Sequence, residues 1–514
     1  MPDTIAILDF GSQYTQLIAR RIRELGIFSE IYPPTISKEE LLGKHPKGII
    51  LSGGPGSAYL ATIPFDRTIF SLDLPILGIC YGMQLMNVSH KGTVAHQGLG
   101  EYGRQSIRIK TYPPLFDGLS PDQTVWMSHG DSIQKIADNF SVIAESNSGL
   151  LAAIAHRNKP FFGVQFHPEV SHTPHGGKIL DNFLKLTGAE RNWSPGHYIQ
   201  QSTEEIRTRV GDGTVISLVS GGVDSTVATF LCLEALGPDR VIPLHIDTGL
   251  MRQNESVEVV ELLKSHGMKR LVHVDAQDRF LQEISRIEDP EEKRHKIGTL
   301  FITILEEEMK KLGSQSFFCQ GTLYTDLIES GQGCGAHAAV IKSHHNVNPP
   351  IVQKKREMGL IIEPNRHIFK DEVRKVGAAL GIPDKLLQRH PFPGPGLAIR
   401  IMGEVTKQRL ERLRKADAIF QEEIRQAGLY EEIWQAFAVL LPVNAVAVMG
   451  DKRVVGNAIS LRAVTSQDGM TADVYPMPYD LASRISTRII NEVGGVCRVT
   501  YDITSKPPGT IEWE

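Results

Sequence analysis

The segment Pro75-Ile76-Leu77-Gly78-Ile79-Cys80-Tyr81-Gly82-Met83-Gln84 places a cysteine where an apolar run gives way to a helix. Gly-x-Cys-x-Gly is the thiol counterpart of a serine nucleophile elbow. Small residues on both sides permit a strained turn that exposes the sulfur, and the helix N-terminus behind it favours the thiolate. A thiol nucleophile needs a base, and Phe166-His167-Pro168-Glu169 offers one. Residues two apart on an extended chain share a side, so Glu169 can orient the His167 imidazole that takes the thiol proton. Ser52-Gly53-Gly54-Pro55-Gly56 follows another apolar run, and its backbone N–H groups could receive an oxyanion. Each piece alone is also what a buried corner, a packed histidine or a tight turn looks like. Their combination points to nucleophilic thiol chemistry.

A second cluster, Ser220-Gly221-Gly222-Val223-Asp224-Ser225-Thr226, lies between an apolar run and an Ala/Leu-rich stretch. Glycines there let backbone amides approach phosphate oxygens, and a helix N-terminus favours negative charge. The lysine of a Walker loop is absent. Asp224 is an oxygen ligand suited to a hard cation such as Mg²⁺. Downstream, His245-Ile246-Asp247-Thr248-Gly249 ends the next strand, where open parallel sheets bind ligands.

The elements that must carry these groups alternate strand and helix. Thr4–Leu8, Gly48–Leu51 and Ile76–Ile79 read as short buried strands. Tyr14, Leu17, Ile18, Ile22 and Leu25 recur at helical spacing. The pattern restarts near Thr214, with Val215–Val219 and Val241–Ile246 as strands and Val227–Leu236 as a helix closed by Gly237-Pro238. Asn192-Trp193-Ser194-Pro195-Gly196 reads as a linker. Pro391-Phe392-Pro393-Gly394-Pro395-Gly396 can be neither helix nor central strand. A charged helix over roughly Thr406 to Gln426 and β-branched segments near Val446 and Val499 follow. The expected architecture is α/β: two doubly wound, mostly parallel-sheet domains (3–190 and 198–390), then a smaller α+β domain (391–514).

With 514 residues the chain exceeds a single core, and 41 % hydrophobic with 22 % charged residues is a globular composition. Its 55 basic and 59 acidic residues give −4, so no basic excess points to nucleic acid. The longest apolar run, Ala436 to Met449, is broken by Pro442 and Asn444 and is too short to span a bilayer. Five scattered cysteines and no signal-peptide pattern lead to the expectation of reduced thiols in the cytoplasm.

The three N-terminal pieces together resemble the class I glutamine amidotransferase domain. That resemblance implies Cys80 as the nucleophile attacking the glutamine side-chain amide, His167 as base and Glu169 as its orienter. It also implies an oxyanion hole at Gly54 and Tyr81. Ser220–Thr226 resembles the loop of N-type ATP pyrophosphatases, which hold the β,γ-phosphates while an acceptor oxygen attacks the α-phosphorus. ATP binding by Ser220, Gly221, Gly222, Val223, Asp224, Ser225 and Thr226 is then implied, with Mg²⁺ at Asp224. The same resemblance raises Lys370, at a helix start, to a pyrophosphate contact.

Three further segments resemble the glutamine-hydrolysing GMP synthase family: Ile341–Val347, Pro391–Leu397, and Lys506-Pro507-Pro508-Gly509-Thr510-Ile511-Glu512-Trp513-Glu514. By that resemblance Lys506, Glu512, Asp451, Arg453 and, less directly, Arg294 bind XMP, and the region after Pro391 forms a homodimer. The expected substrates are glutamine, ATP and XMP, with neither nucleic acid nor membrane as a partner. Residues 90–99, 348–358 and 474–477 depart from the family pattern. A glutamine-dependent NAD synthetase, a tRNA-adenylating enzyme and a silent nucleotide-binding protein are the rival readings. The first leaves the C-terminal segment unexplained, the second lacks a basic stripe, and the third does not account for intact chemistry in both clusters.

Overall fold

The computed structural model describes residues 3–60, 63–313, 316–323, 350–466 and 471–514. Cys334 and the Ile341–Val347 segment therefore lie outside the described residues. The chain forms two compact units. Among the described residues, one is built on those up to Gln201 and the other on those from Ser202 on, Leu323 and His367–Phe369 apart.

The first unit holds a nine-stranded sheet: β1 (Thr4–Leu8), β2 (Phe28–Tyr32), β3 (Pro46–Leu51), β4 (Ile76–Ile79), β5 (Thr93–Ile109), β6 (Asp122–Lys135), β7 (Phe140–Ser146), β8 (Leu151–His156) and β9 (Phe161–Val164). The spatial order is β2-β1-β3-β4-β9-β8-β7-β5-β6. The first five strands pair in parallel, and the β9–β8, β8–β7, β7–β5 and β5–β6 pairs are antiparallel. The expected parallel sheet is thus one half of a mixed one. Short connections such as that from β7 to β8 leave no room for a crossover helix, which a parallel neighbour requires. Strands β1 and β4, and β3 from Gly48 on, are buried throughout and read as near-continuous apolar runs, as strands covered on both faces do.

The expected linker is an ordered connection. Pro195 opens the helix Pro195–Val210, a position where the missing N–H costs nothing. Trp193 packs on Phe28 with ring centres 4.7 Å apart, and its N–H donates to Gly26 O at 2.9 Å.

The second unit carries two sheets. β10 (Val215–Leu218), β11 (Val241–Asp247), β12 (Val272–Asp275), β13 (Phe317–Cys319) and β14 (Ile361–Ile362) are all parallel, in the order β12-β11-β10-β13-β14. This doubly wound order reverses at β10, so a crevice opens beyond the carboxyl ends of β10 and β13. β15 (Gln435–Met449) and β16 (Lys452–Thr465) form a long antiparallel hairpin, flanked by β17 (Asp473–Val474) and β18 (Val496–Tyr501). The run Ala436–Met449 is thus a strand, and among the described residues no helix is long and apolar enough to cross a membrane. The charged helix Lys407–Gln426 is capped by the Thr406 hydroxyl, which accepts from Arg409 N at 3.3 Å. Its buried residues Leu410, Leu413, Phe420 and Ile424 join a core that also contains Ile216 of β10 and Ile459 of β16.

Candidate functional site

Cys80 sits between β4 and the helix Tyr81–Ser89 with φ +50°, ψ −105°, a region non-glycine residues seldom enter. The flanking glycines are obligatory. A Cβ on Gly78 would lie 2.6 Å from the Gly82 backbone, and one on Gly82 would lie 2.3 Å from Leu51 O. Strand, elbow and helix interlock only without side chains there. Cys80 N donates to Val164 O at 2.8 Å, which ties the elbow to β9.

β9 delivers the base. His167 N donates to Trp126 O at 2.9 Å, and the Thr173 hydroxyl donates to His167 O at 2.7 Å. The ring is buried, with Nδ1 2.7 Å from Glu169 Oε1, and Glu169 is fully buried. Burial alone would push His167 down. The Glu169 carboxylate and a hydrogen bond with Cys80 outweigh it and raise the imidazole to about 10. His167 therefore holds its proton at neutral pH, facing the sulfur. Gln165, which the sequence reading passed over, donates from Nε2 to Cys80 Sγ at 3.6 Å. Its own Oε1 accepts from Gln84 Nε2 at 3.2 Å. The signal was available, since Gln165, His167 and Glu169 share one parity.

The Ser52–Gly56 turn stands beside this pair. Ser52 Oγ accepts from Phe10 N at 2.9 Å and donates to Gly53 O at 2.7 Å. A Cβ on Gly53 would lie 3.2 Å from the His167 ring, and one on Gly54 would lie 2.5 Å from Phe10 O. Gly82 N donates to Ser52 O at 3.1 Å, so the turn that carries Gly54 and the elbow that carries Tyr81 are backbone neighbours.

In the second unit, Ser220–Thr226 joins β10 to the helix Val223–Leu236, whose N-cap is Gly222. Gly221 has φ +87°. The Ser225 hydroxyl donates to Gly222 O at 3.1 Å and accepts from Ser220 N at 3.2 Å, while the Thr226 hydroxyl donates to Gly222 O at 2.8 Å. The loop closes on itself and presents the helix N-terminus. From the far side of the crevice, the backbone just after β13 presses in: a Cβ on Gly321 would lie 2.8 Å from Ser225 N. Asn365, fully buried, donates to Asp224 O at 2.8 Å. Lys370 is the exposed first residue of the helix Lys370–Ala379, which packs on the Val223–Leu236 helix where a Cβ on Gly377 would lie 3.0 Å from Val227.

The residues ending β11 divide. His245 is wholly buried, with Nδ1 2.7 Å from Val219 O and Nε2 3.0 Å from Ser256 Oγ, and is a packing residue. Asp247 lines a cavity of about 110 Å³ with Arg252, Gln277 and Arg414. Among the described residues no three His, Cys, Asp or Glu side chains stand together to hold a metal. One carboxylate beside a phosphate loop is a donor set that suits Mg²⁺ shared with substrate phosphates.

The five candidates for acceptor binding, Arg294 and four C-terminal residues, do not meet in one copy. Both oxygens of Glu512 accept from Arg400, at 2.7 and 3.0 Å, and Oε1 also accepts from Gln435 Nε2 at 2.7 Å. Arg462 holds the same segment, donating to Ile511 O at 2.8 Å and Thr510 O at 2.9 Å. Lys506 is bridged to Ala472 by N–H···O bonds of 2.8 and 3.0 Å. Arg294 reaches the same tail through Glu514 O. Asp451 lies elsewhere. Gly450 and Asp451, with φ +54° and +61°, are the central pair of a two-residue turn between β15 and β16, next to Arg453. Arg453 precedes Arg462 by nine residues on one strand, a separation of about 30 Å.

Three family models match the chain: Glutamine amidotransferase class-I over residues 6–186, NAD synthase over 198–294, and GMP synthase C terminal domain over 422–513. Curated proteins named GMP synthase (glutamine-hydrolyzing) align over its full length. Those of Nitratiruptor sp. and Aquifex aeolicus are each 51 % identical, covering 99 % of this chain and 99 % of theirs. That of Zymomonas mobilis is 51 % identical and covers 100 % of this chain and 98 % of its own.

Proposed function

The chain belongs to the glutamine-hydrolysing GMP synthase family, and on that premise we propose how its residues divide the reaction. Glutaminase chemistry occupies 3–190, adenylation 198–390, and acceptor binding with dimerisation 391–514. Cys80 attacks the glutamine amide carbon. The backbone amides of Gly54 and Tyr81 receive the oxyanion, and His167 passes its proton to the departing nitrogen. Ammonia leaves a glutamyl thioester that water clears, with His167 as base and Glu169 holding its tautomer. The observation that carries this reading is the buried Glu169–His167 pair set against a strained cysteine elbow.

In the second unit Ser220–Thr226 cradles the β,γ-phosphates, and Lys370 adds a cation at the pyrophosphate. The XMP O2 attacks the α-phosphorus, and ammonia then displaces AMP to give GMP. Asp224 would hold Mg²⁺, which when bound neutralises developing phosphate charge. The setting is a cytoplasmic one. Incubation with glutamine, Mg-ATP and XMP should yield GMP, glutamate, AMP and pyrophosphate by mass detection. Absence of GMP overturns the reading.

XMP brings a 5′-phosphate dianion and a purine edge. Lys506 and Arg294 supply charge beside the tail, and Glu512 fixes its shape while keeping a lone pair for the base or ribose. Losing one charge-assisted hydrogen bond costs about 1.5–3 kcal/mol, so Lys506→Ala should raise KM for XMP roughly 10- to 150-fold. An unchanged XMP dependence removes Lys506 from the site.

Asp451 and Arg453 reach such a site from a second copy. Val446, Val448 and Val455 lie on one face of the hairpin, 45, 75 and 64 % exposed, an apolar stripe that a homodimer would cover. Val448→Asp should yield a monomer by light scattering and weaken XMP use by about tenfold or more. A wild-type monomer at micromolar concentration rules out the dimer.

A further inference from the structure

The Pro391–Gly396 segment is pinned at both ends. Gly396 has φ +64°, and a Cβ there would lie 2.3 Å from Leu250 O, which also accepts from Leu397 N at 2.8 Å. On the other side the His390 ring stacks on Tyr430 with centres 3.9 Å apart and planes within 5°. Arg389 projects from this anchored stretch. Its side chain is only 10 % exposed, and the guanidinium is framed by two carboxylates, Nη1 to Glu255 Oε1 at 3.0 Å and Nη2 to Glu258 Oε2 at 2.8 Å. Nη1 also donates to the carbonyl of Gly221, inside the phosphate loop, at 3.3 Å.

In a trans peptide the C=O and the next N–H point in opposite directions. A Gly221 carbonyl turned to Arg389 therefore turns the Gly222 N–H away from it, at the N-cap of the helix where an anion binds. A flip of that peptide turns ψ of Gly221 and φ of Gly222, and with glycine on both sides no side chain resists it. Inside the loop the Gly222 N–H has only a long contact, to Ser220 Oγ at 3.4 Å, and Arg389 holds the carbonyl end of the same peptide from outside. We propose that Arg389 is a positioning residue for the phosphate loop, holding the Gly221 carbonyl outward so that the Gly222 N–H faces the ATP phosphates. Glu255 and Glu258 hold the guanidinium flat and neutralise it, so it acts through the loop.

This rests on the reading that Ser220–Thr226 binds the ATP phosphates. The test uses full-length Arg389→Lys and Arg389→Gln. Lys keeps the charge between the two carboxylates but lacks the planar fork that reaches three acceptors. In Arg389→Lys, KM for ATP and the inhibition constant of inorganic pyrophosphate should rise together, on the order of tenfold, one mis-aimed donor to a charged group. KM for XMP and for glutamine, and the thermal midpoint, should stay near wild type. Arg389→Gln should show the same split, larger. A common fall in kcat with all KM values unchanged means a structural role and overturns the proposal, as does unchanged pyrophosphate inhibition. Asp224→Ala is assayed in parallel. If it keeps normal ATP use, the phosphate-loop reading falls and this inference with it; if it loses ATP use while Arg389→Lys is normal, only this inference falls.

Discussion

Cys80→Ala is expected to lose glutamine-dependent synthesis by at least about 10³-fold and to keep synthesis from ammonia within about a factor of two. The sulfur is the atom proposed to form the thioester, and no neighbour can replace it: Gln165 is an amide and the Ser128 group beside it is a carbonyl, 3.8 Å away. Alanine inherits the same φ of +50° that cysteine already tolerates, so the elbow bears no new strain. The Ser220–Thr226 loop proposed for adenylation lies in the other compact unit. Glutamate release from glutamine, measured beside ammonia-driven GMP formation, checks both halves. The variant also carries a spectroscopic signature. The hydrogen bond with Cys80 helps raise His167 to about 10, so its removal should lower the imidazole's titration midpoint, readable by NMR. Glutamate release at the wild-type rate would falsify the nucleophile assignment.

The parts of these sites that were legible in the sequence are those written locally. β1 and β4 coincide with the apolar runs that foretold them, because strands buried on both faces admit no polar residue. The elbow announced itself through Gly78 and Gly82, whose spacing reports the contact between strand and helix backbones. His167 and Glu169 followed from their two-residue spacing downstream of a cysteine elbow, and their roles from the family resemblance. What was not legible is what the chain assembles across distance. Arg389 meets Gly221, Arg400 meets Glu512 and Lys293 meets Glu514, across separations of 168, 112 and 221 residues. No periodicity encodes such pairs, and in sequence each cation looks like one more surface charge. Gly450-Asp451 carries a local signal of a different kind. A Gly-Asp pair between alternating β-branched runs is a hairpin turn, and the turn carries Asp451 and Arg453 away from the tail of their own copy, which is why a second copy enters the proposed acceptor site.

The second large effect is expected at Asp224. Asp224→Ala should abolish synthesis from glutamine and from ammonia alike, by about 10³-fold, the scale of losing metal-assisted charge stabilisation at a phosphoryl centre. Both nitrogen sources need the adenylated acceptor, so neither route bypasses the loop. The fold should survive. Asp224 is in the first turn of the Val223–Leu236 helix, where alanine has the better helix propensity and the lost dipole interaction costs only about 0.3–1 kcal/mol. The neighbouring hydroxyls of Ser225 and Thr226 still close the loop through Gly222 O. A thermal midpoint within a few degrees of wild type therefore separates lost chemistry from lost structure. Glutamyl-thioester formation at Cys80 should remain possible. In the wild-type enzyme the nucleotide products should be AMP and pyrophosphate, because a loop that grips the β,γ-phosphates leaves the α-phosphorus open to the acceptor. XMP-dependent exchange of labelled pyrophosphate into ATP should vanish in the variant. Stoichiometric ADP from the wild type would place attack at the γ-phosphorus, and ammonia-driven GMP formation by Asp224→Ala would remove this carboxylate from the mechanism.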